Sequence, residues 1–232
     1  MVGPFALQEL GHPADPVAAS LAYAQAGADE IMLVARSTPP EVLREVVERV
    51  APSLSVPLAC WTELMTGAQV GELLAVGASR VAIQKAALAD PELIATCARS
   101  FGSEAIAVAV AAGGVDDGWR VFEGHGGAAS EWDALTWACV IEAQNGGEII
   151  IESPAGGAEG GPFDLELLQL VSSAVARPVV AAGEAGQVED LFDALMVGDA
   201  DAVLVSSLLH SGEATLSGIK AFLDEHGLPV QL

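Results

Sequence analysis

The chain has 232 residues, 52% of them hydrophobic, and carries 32 acidic against 9 basic side chains, a formal charge of −23. That length suits one large α/β domain with a full core, expected to span residues 1–232. The charge argues against nucleic acid and anionic membranes, which need a basic face, and no apolar run reaches the ~18 residues of a membrane span.

The N-terminus lacks a basic segment followed by a long apolar one, so no secretion signal is expected. Cys60, Cys97 and Cys139 are odd in number and lack metal-type spacing, which reads as reduced thiols in a cytoplasmic protein with no metal or cofactor. In chain order the pattern predicts a helix over Pro16–Gln25 that ends at Gly27, then a strand over Glu30–Val34. A helix over Glu41–Val50 leads to a strand over Val56–Cys60, and a helix over Ala68–Ala75 leads through Gly77 to a strand over Arg80–Ile83. Asp90 caps a helix over Pro91–Arg99, followed by a strand over Ala105–Val110 and a helix over Glu131–Gln144. The strand Glu148–Ile151 runs into the glycine-rich stretch Pro154–Pro162, and Asp164 then opens a helix over Leu165–Val175. The series closes with strand Pro178–Ala182, helix Val188–Met196, strand Ala202–Val205 and helix Leu216–Glu225.

These strands are apolar throughout, without strict polar alternation, which is the signature of parallel strands covered on both faces. Regular alternation of strand and helix means βαβ units, and right-handed crossovers favour closure into a barrel. Val56–Lys85 lies on Arg177–Ser206 at a constant offset of 121 residues, with Pro57 on Pro178, Glu63 on Glu184, Leu74 on Leu195, Val76 on Val197 and Gly77 on Gly198. The expected architecture is therefore a (β/α)8 TIM-type barrel of two similar half-barrels. Its first strand is shortened to Val2–Leu7 or absent. An open edge beside the second strand would need covering, by the N-terminal segment or by a second copy of the chain.

The stretches "DPVAASLAYAQAGADEIMLV", "VGASRVAIQKAALADPELI", "FGSEAIAVAV", "GGEIIIES", "FDLELLQLVSSAVARPVVAAGEAG" and "DADAVLVSSLLHSGEATLSGIKAFLDEHGLPVQL" resemble the cyclase subunits of imidazole glycerol phosphate synthase. These are half-barrel-duplicated enzymes of histidine biosynthesis, and the resemblance covers about residues 12 to 230. It implies a barrel, a C-terminal catalytic face and an N-terminal face that docks a glutaminase subunit, with Arg80 and Glu148 at matching positions of that face. The family's general acid and base are two aspartates. The one on the fifth strand falls on Ala111, the first-strand segment here contains no Asp, and the aspartate of the second strand falls on Ala35. The family's loop aspartates after the sixth strand fall on Ala155 and Gly157. Its phosphate-binding glycine turns read Cys60, Trp61, Thr62, Glu63 and Gly183, Glu184, Ala185, Gly186. Such glycines let backbone N–H groups approach a phosphate closely. A carboxylate ~5 Å from a dianion opposes it by about 6 kcal/mol at an effective dielectric of 20, so a phosphorylated substrate is not expected.

The candidate catalytic groups are therefore Glu63, Glu152, Glu184 and Lys85, with Cys60, Trp61, Gln84, Ser206 and Ser207 lining a substrate site. Glu63 and Glu184 are carboxylates at the catalytic mouth, suited to acid–base work or to binding a cation or metal, or else solvated loop residues or salt-bridge partners of nearby Lys or Arg. Glu152 ends the sixth strand at an inward polar position of the family, where burial favours the proton-donating acid form, and Lys85 is its candidate ion-pair partner. Cys60 reads as a small core residue or as a nucleophile activated by Lys85 or Arg36. Trp61 replaces a glycine and either plugs the mouth or stacks on a flat ligand. Ser207 matches a family serine near the second phosphate, and His125 and His210 read as ordinary surface histidines. Two readings remain open. One is a cyclase, isomerase or lyase acting on a small non-phosphorylated molecule. The other is a non-catalytic subunit that keeps the barrel to bind a glutaminase-like partner.

Overall fold

The structure, a computed structural model, describes residues 5–7, 15–35, 38–63, 65–116, 118–124, 126–153 and 162–230. Among them ten strands form one sheet. Eight run in parallel in the order β1 (Phe5–Leu7), β2 (Ile31–Val34), β3 (Leu58–Thr62), β4 (Arg80–Ile83), β5 (Ile106–Val115), β8 (Glu148–Glu152), β9 (Val179–Ala182) and β10 (Ala202–Leu204). Between β5 and β8 the chain makes an antiparallel excursion, β6 (Gly118–Phe122) and β7 (Ala129–Asp133), which extends β5 past the barrel rim.

The parallel strands sort their side chains onto two faces. Met32, Val34, Ala59, Trp61, Ala82, Ala107, Ala109, Ile150, Val180, Ala182 and Leu204 pack into one cluster. Because this cluster joins β2 to β10 across the sheet, the sheet curls and encloses it, as in the (β/α)8 barrel. The alternate residues Ile31, Leu33, Cys60, Val81, Ile83, Val108, Val110, Ile149, Ile151, Val179, Ala181 and Val203 face the helices. Each fully buried aliphatic side chain of that layer stabilises the fold by about 1.5–3 kcal/mol.

The helices on the outside are α1 (Pro16–Gln25), α2 (Pro40–Val50), α3 (Gly67–Ala75), α4 (Lys85–Ala89), α5 (Glu92–Phe101), α6 (Ala134–Ala143), α7 (Leu165–Ala174), α8 (Val188–Met196), α9 (Ser207–His210) and α10 (Leu216–Glu225). Helix α2 shows why they form. Leu43, Val46, Val47 and Val50 recur at helical spacing and are buried, while Glu41, Glu45 and Glu48 face solvent. Starts are capped by side chains: the Thr66 hydroxyl accepts from Gln69 N in a capping box, and Asp133 and Asp164 accept from Thr136 N and Leu167 N. The turn from α3 to β4 needs Gly77, whose φ of +115° disfavours a side chain and where a Cβ would lie 2.7 Å from Ala51 Cβ.

The sequence expectation of a short first strand is met by β1, whose three residues pair in register with Ile31–Leu33. That covers the β2 edge and removes this reason for a second copy of the chain. On the helix side Lys220 of α10 holds Asp29 at 2.9 Å, just before β2. The predicted helix over Glu131–Gln144 starts later, at Ala134, because Ala129–Asp133 pairs with β6.

Candidate functional site

The C-terminal ends of the parallel strands bring three of the predicted residues onto the interior face. Trp61 lies in the interior cluster with no exposed surface. Gln84 follows Ala82 and Glu152 follows Ile150 by two residues, and both of those are interior, so strand alternation carries Gln84 and Glu152 inward as well. Gln84 is 3% and Glu152 4% exposed. The Trp61 indole Nε1 donates to Gln84 Oε1 at 3.3 Å. An indole N–H is donor only, so Gln84 must turn its oxygen toward Trp61 and its amide nitrogen away. That nitrogen is buried and has no hydrogen-bond partner, which costs about 1–3 kcal/mol unless something binds there.

Glu152 and Ala111 are direct register partners on β8 and β5, with Ala182 of β9 on the other side of Glu152. Neighbouring strands lie about 4.8 Å apart. A carboxylate on Glu152 therefore enters the barrel one strand away from position 111, between two alanines.

The structure places the other candidates elsewhere. Cys60 is on the opposite face of β3, in the helix-facing layer, fully buried, and burial pushes its thiol far above the ordinary range. A thiol there neither faces the barrel interior nor ionises readily. Glu63 is half-buried just after β3, and its carboxylate lies against Gly124 of the β6–β7 hairpin. A Cβ at Gly124 would sit 3.1 Å from Glu63 Oε1, so the glycine permits the contact. Lys85 starts α4 and pairs with Glu123 at 3.5 Å. Both partners are well exposed, so the pair contributes about 0–1 kcal/mol. Glu184 is exposed on the turn after β9. Ser207 donates to the Ala185 carbonyl at 3.0 Å and so ties the start of α9 to that turn, while Ser206 is half-buried at the α9 N-cap. His210 meets the Tyr23 hydroxyl at 2.9 Å. Arg36, His125, Ala155 and Gly157 lie outside the described residues.

Sequence reasoning missed the hairpin. It reaches from Trp119, whose indole donates to the buried Asp164 at 2.7 Å, to Glu123 and Gly124, which meet Lys85 and Glu63. Asp164 in turn caps α7 and donates its N–H to Ser153. The hairpin thus spans the rim from the β8 side to the β3 side. The alternation around Trp119, Val121, Ser130 and Trp132, broken by glycines, was the available signal.

The opposite end of the barrel holds a second charged group. Arg80 contacts Glu30 and Glu148, each at 3.1 Å, and donates to the Glu104 carbonyl. Burial pushes the Glu148 carboxyl up to about 7, with Arg80 opposing and Glu30 and Asp201 reinforcing. Burial raises Glu30 too, against the Arg80 charge and hydrogen bond. A groove of about 590 Å³ opens beside Arg80 and Glu30, floored by Phe101–Ala105. Among the described residues no helix is long and apolar enough to cross a membrane.

Comparison with known proteins gives consistent matches. Residues 7–215 match the family described as Histidine biosynthesis protein. The chain is 38% identical over 221 residues to the imidazole glycerol phosphate synthase subunit HisF of Dehalococcoides mccartyi (strain ATCC BAA-2266 / KCTC 15142 / 195), covering 94% of this chain and 87% of that one. It is 38% identical over 226 residues to the subunit of the same name from Hyphomonas neptunium, covering 96% and 90%. The match spans nearly the whole barrel, and the chain belongs to the histidine biosynthesis protein family, alongside the HisF subunits of imidazole glycerol phosphate synthase.

Proposed function

We propose that the chain is a barrel enzyme related to those HisF subunits, working by acid–base chemistry on a small, non-phosphorylated molecule at the C-terminal end of the barrel. The observation that carries this reading is the buried Glu152 carboxylate in register beside Ala111. By the family resemblance position 111 carries a catalytic aspartate, so the carboxylate has moved one strand over without leaving the interior. Glu152 is the proton donor or acceptor. Gln84 and Trp61 orient the substrate, and Glu63, Glu184 and Lys85 set the charge of the rim. Ser206 and Ser207 border the turn that would face a phosphate. A rim with more carboxylates than cations favours uncharged or cationic substrates and repels anions. Cyclase, isomerase and lyase reactions are all within reach of such a group. One domain of two similar halves accounts for the offset of 121, at which the nine-residue helices Gly67–Ala75 and Val188–Met196 coincide. A cytoplasmic setting fits the free cysteines.

The test is exchange and turnover in D2O. The protein is incubated with a mixture of non-phosphorylated metabolites and followed by proton NMR. The reading expects at least one compound to be consumed or deuterated by the native protein and left alone by Glu152→Gln. A mixture unchanged by the native protein, or changed equally by the variant, defeats it.

A second reading has its own observation. The group of half-buried Arg80 and Glu30 with buried Glu148, and the groove beside it, lie at the end of the barrel where the resemblance places a glutaminase-like partner. A regulatory or partner-binding subunit would keep that face while Trp61 fills the interior.

A further inference from the structure

Trp61, Gln84 and Glu152 are almost wholly buried, so a substrate reaches them only if part of the barrel mouth moves. The chemistry proposed for Glu152, on which this inference rests, therefore needs an opening. With Ala111 these residues stand at the C-terminal ends of β3, β4, β5 and β8, four consecutive strands of the sheet. The β6–β7 hairpin runs along the rim over the same four strands. It grows out of β5, and its Trp119 donates to Asp164, which bonds Ser153 just after β8. Its Glu123 pairs with Lys85 after β4, and its Gly124 lies against Glu63 after β3.

The two parts of the hairpin are held differently. The base is packed: Val121 is buried, the Trp119 bond to Asp164 is 2.7 Å, and the rings of Trp132 and the buried Trp137 of α6 are 5.0 Å apart. The tip, Glu123 and Gly124 with Gly126–Ala128, is closed on itself. Glu123 N–H donates to the Ala128 carbonyl at 2.9 Å, and Gly127 N–H donates to the Gly124 carbonyl at 3.2 Å. Among the described residues the polar tie from tip to rim is the exposed Lys85–Glu123 pair, with Gly124 resting on Glu63. An exposed ion pair is weak and is screened by salt. Between base and tip the pairing of β6 with β7 shifts register, between Arg120 and Phe122, and an irregularity of this kind bends a ribbon.

We propose that the hairpin tip is a gate over the barrel mouth, latched by Lys85 and Glu123. It swings about the register shift, away from the ends of β3 and β4, and uncovers Trp61, Gln84 and Glu152. Closed, it keeps water from these groups; open, it admits substrate. The packed base stays in place and carries the tip back.

The test compares two buried indole N–H groups by hydrogen–deuterium exchange in NMR spectra of the full chain. One is Trp61, which donates to Gln84; the other is Trp137 on α6, against Trp132 of the hairpin base. Each signal is assigned by its loss in Trp61→Phe or Trp137→Phe. A buried N–H exchanges through opening, so its rate reports the open population. In the native protein about 0.5 M sodium chloride, which screens exposed charges, should speed Trp61 exchange by about two- to fivefold, the range an exposed ion pair allows. Trp137 should not change. Lys85→Met should give the same selective gain, with no further effect of salt. Gly124→Ala, whose Cβ would sit 3.1 Å from Glu63 Oε1, should also speed Trp61 alone. Trp61 exchange indifferent to salt and to both variants overturns the gate. So does an equal gain at Trp137, which marks loosening of the whole fold. The gate and the acid–base reading fail separately. Glu152-dependent turnover with an unresponsive Trp61 removes the gate alone. A selective response at Trp61 in a protein that turns nothing over removes the acid–base reading alone.

Discussion

At position 61 a tryptophan with no exposed surface stands inside the barrel, while Cys60, its neighbour, faces the helices. Trp61→Ala removes the largest interior side chain and the donor to Gln84. It should lower unfolding free energy in urea by about 3–5 kcal/mol, and a loss under 1 kcal/mol would show that the indole does not fill the interior. Glu148 supplies a pH dependence. Its folded carboxyl titrates at about 7 against 4.5 for an ordinary glutamate. The folded state therefore holds the extra proton between those values, and stability present below 4.5 is lost as pH rises through 7. The span corresponds to about 3 kcal/mol at most, shared with Arg80 and Glu30. Urea unfolding at pH 5 and pH 8 should show the native protein losing more stability than Glu148→Gln. Equal losses would contradict the assignment. Which of these residues face inward was not legible in the sequence. A strand reading Leu-Ala-Cys-Trp-Thr is buried at every position, so no polar alternation marks its two faces. Cys60 and Trp61 were both plausible substrate contacts on residue type alone, and only the register separates them.

Among the elements, the helices were the most legible, because periodic apolar positions and caps are local signals. Pro16–Gln25, Val188–Met196 and Leu216–Glu225 follow the sequence pattern end for end. Helix α3 carries a reciprocal cap at Thr66 and Gln69. Thr66→Ala should cost about 1 kcal/mol, read as a fall of a few degrees in melting temperature, and Thr66→Ser should restore most of it. If Thr66→Ser falls as far as Thr66→Ala, the hydroxyl is not the cap. The β6–β7 hairpin was illegible for a different reason. Its strands are short, half-exposed and rich in polar residues, and its partners Glu63, Lys85 and Asp164 are distant in sequence. The ion pair of Lys85 with Glu123 followed from that missed hairpin, which displaced the expectation that Lys85 would serve Glu152.

For the whole molecule, the family resemblance carried the barrel, and the sheet order and interior cluster agree with it. The proposed function turns on charge at one end of that scaffold. The turns that resemble phosphate-binding glycine turns carry Glu63 and Glu184, and the interior between them carries Glu152. Glu184 is exposed, so solvent screens it and its opposition to a phosphate is weaker than the figure of about 6 kcal/mol at an effective dielectric of 20. Glu63 is half-buried and Glu152 almost wholly buried, and neither is screened to that extent. The net charge of −23 adds a further repulsion at long range. The direct measurement is the melting temperature of the native protein against ribose 5-phosphate and sulfate up to 10 mM at constant ionic strength. Rejection of phosphate predicts no shift with either anion. A saturable rise of several degrees, the mark of a ligand that binds the folded state, would contradict it.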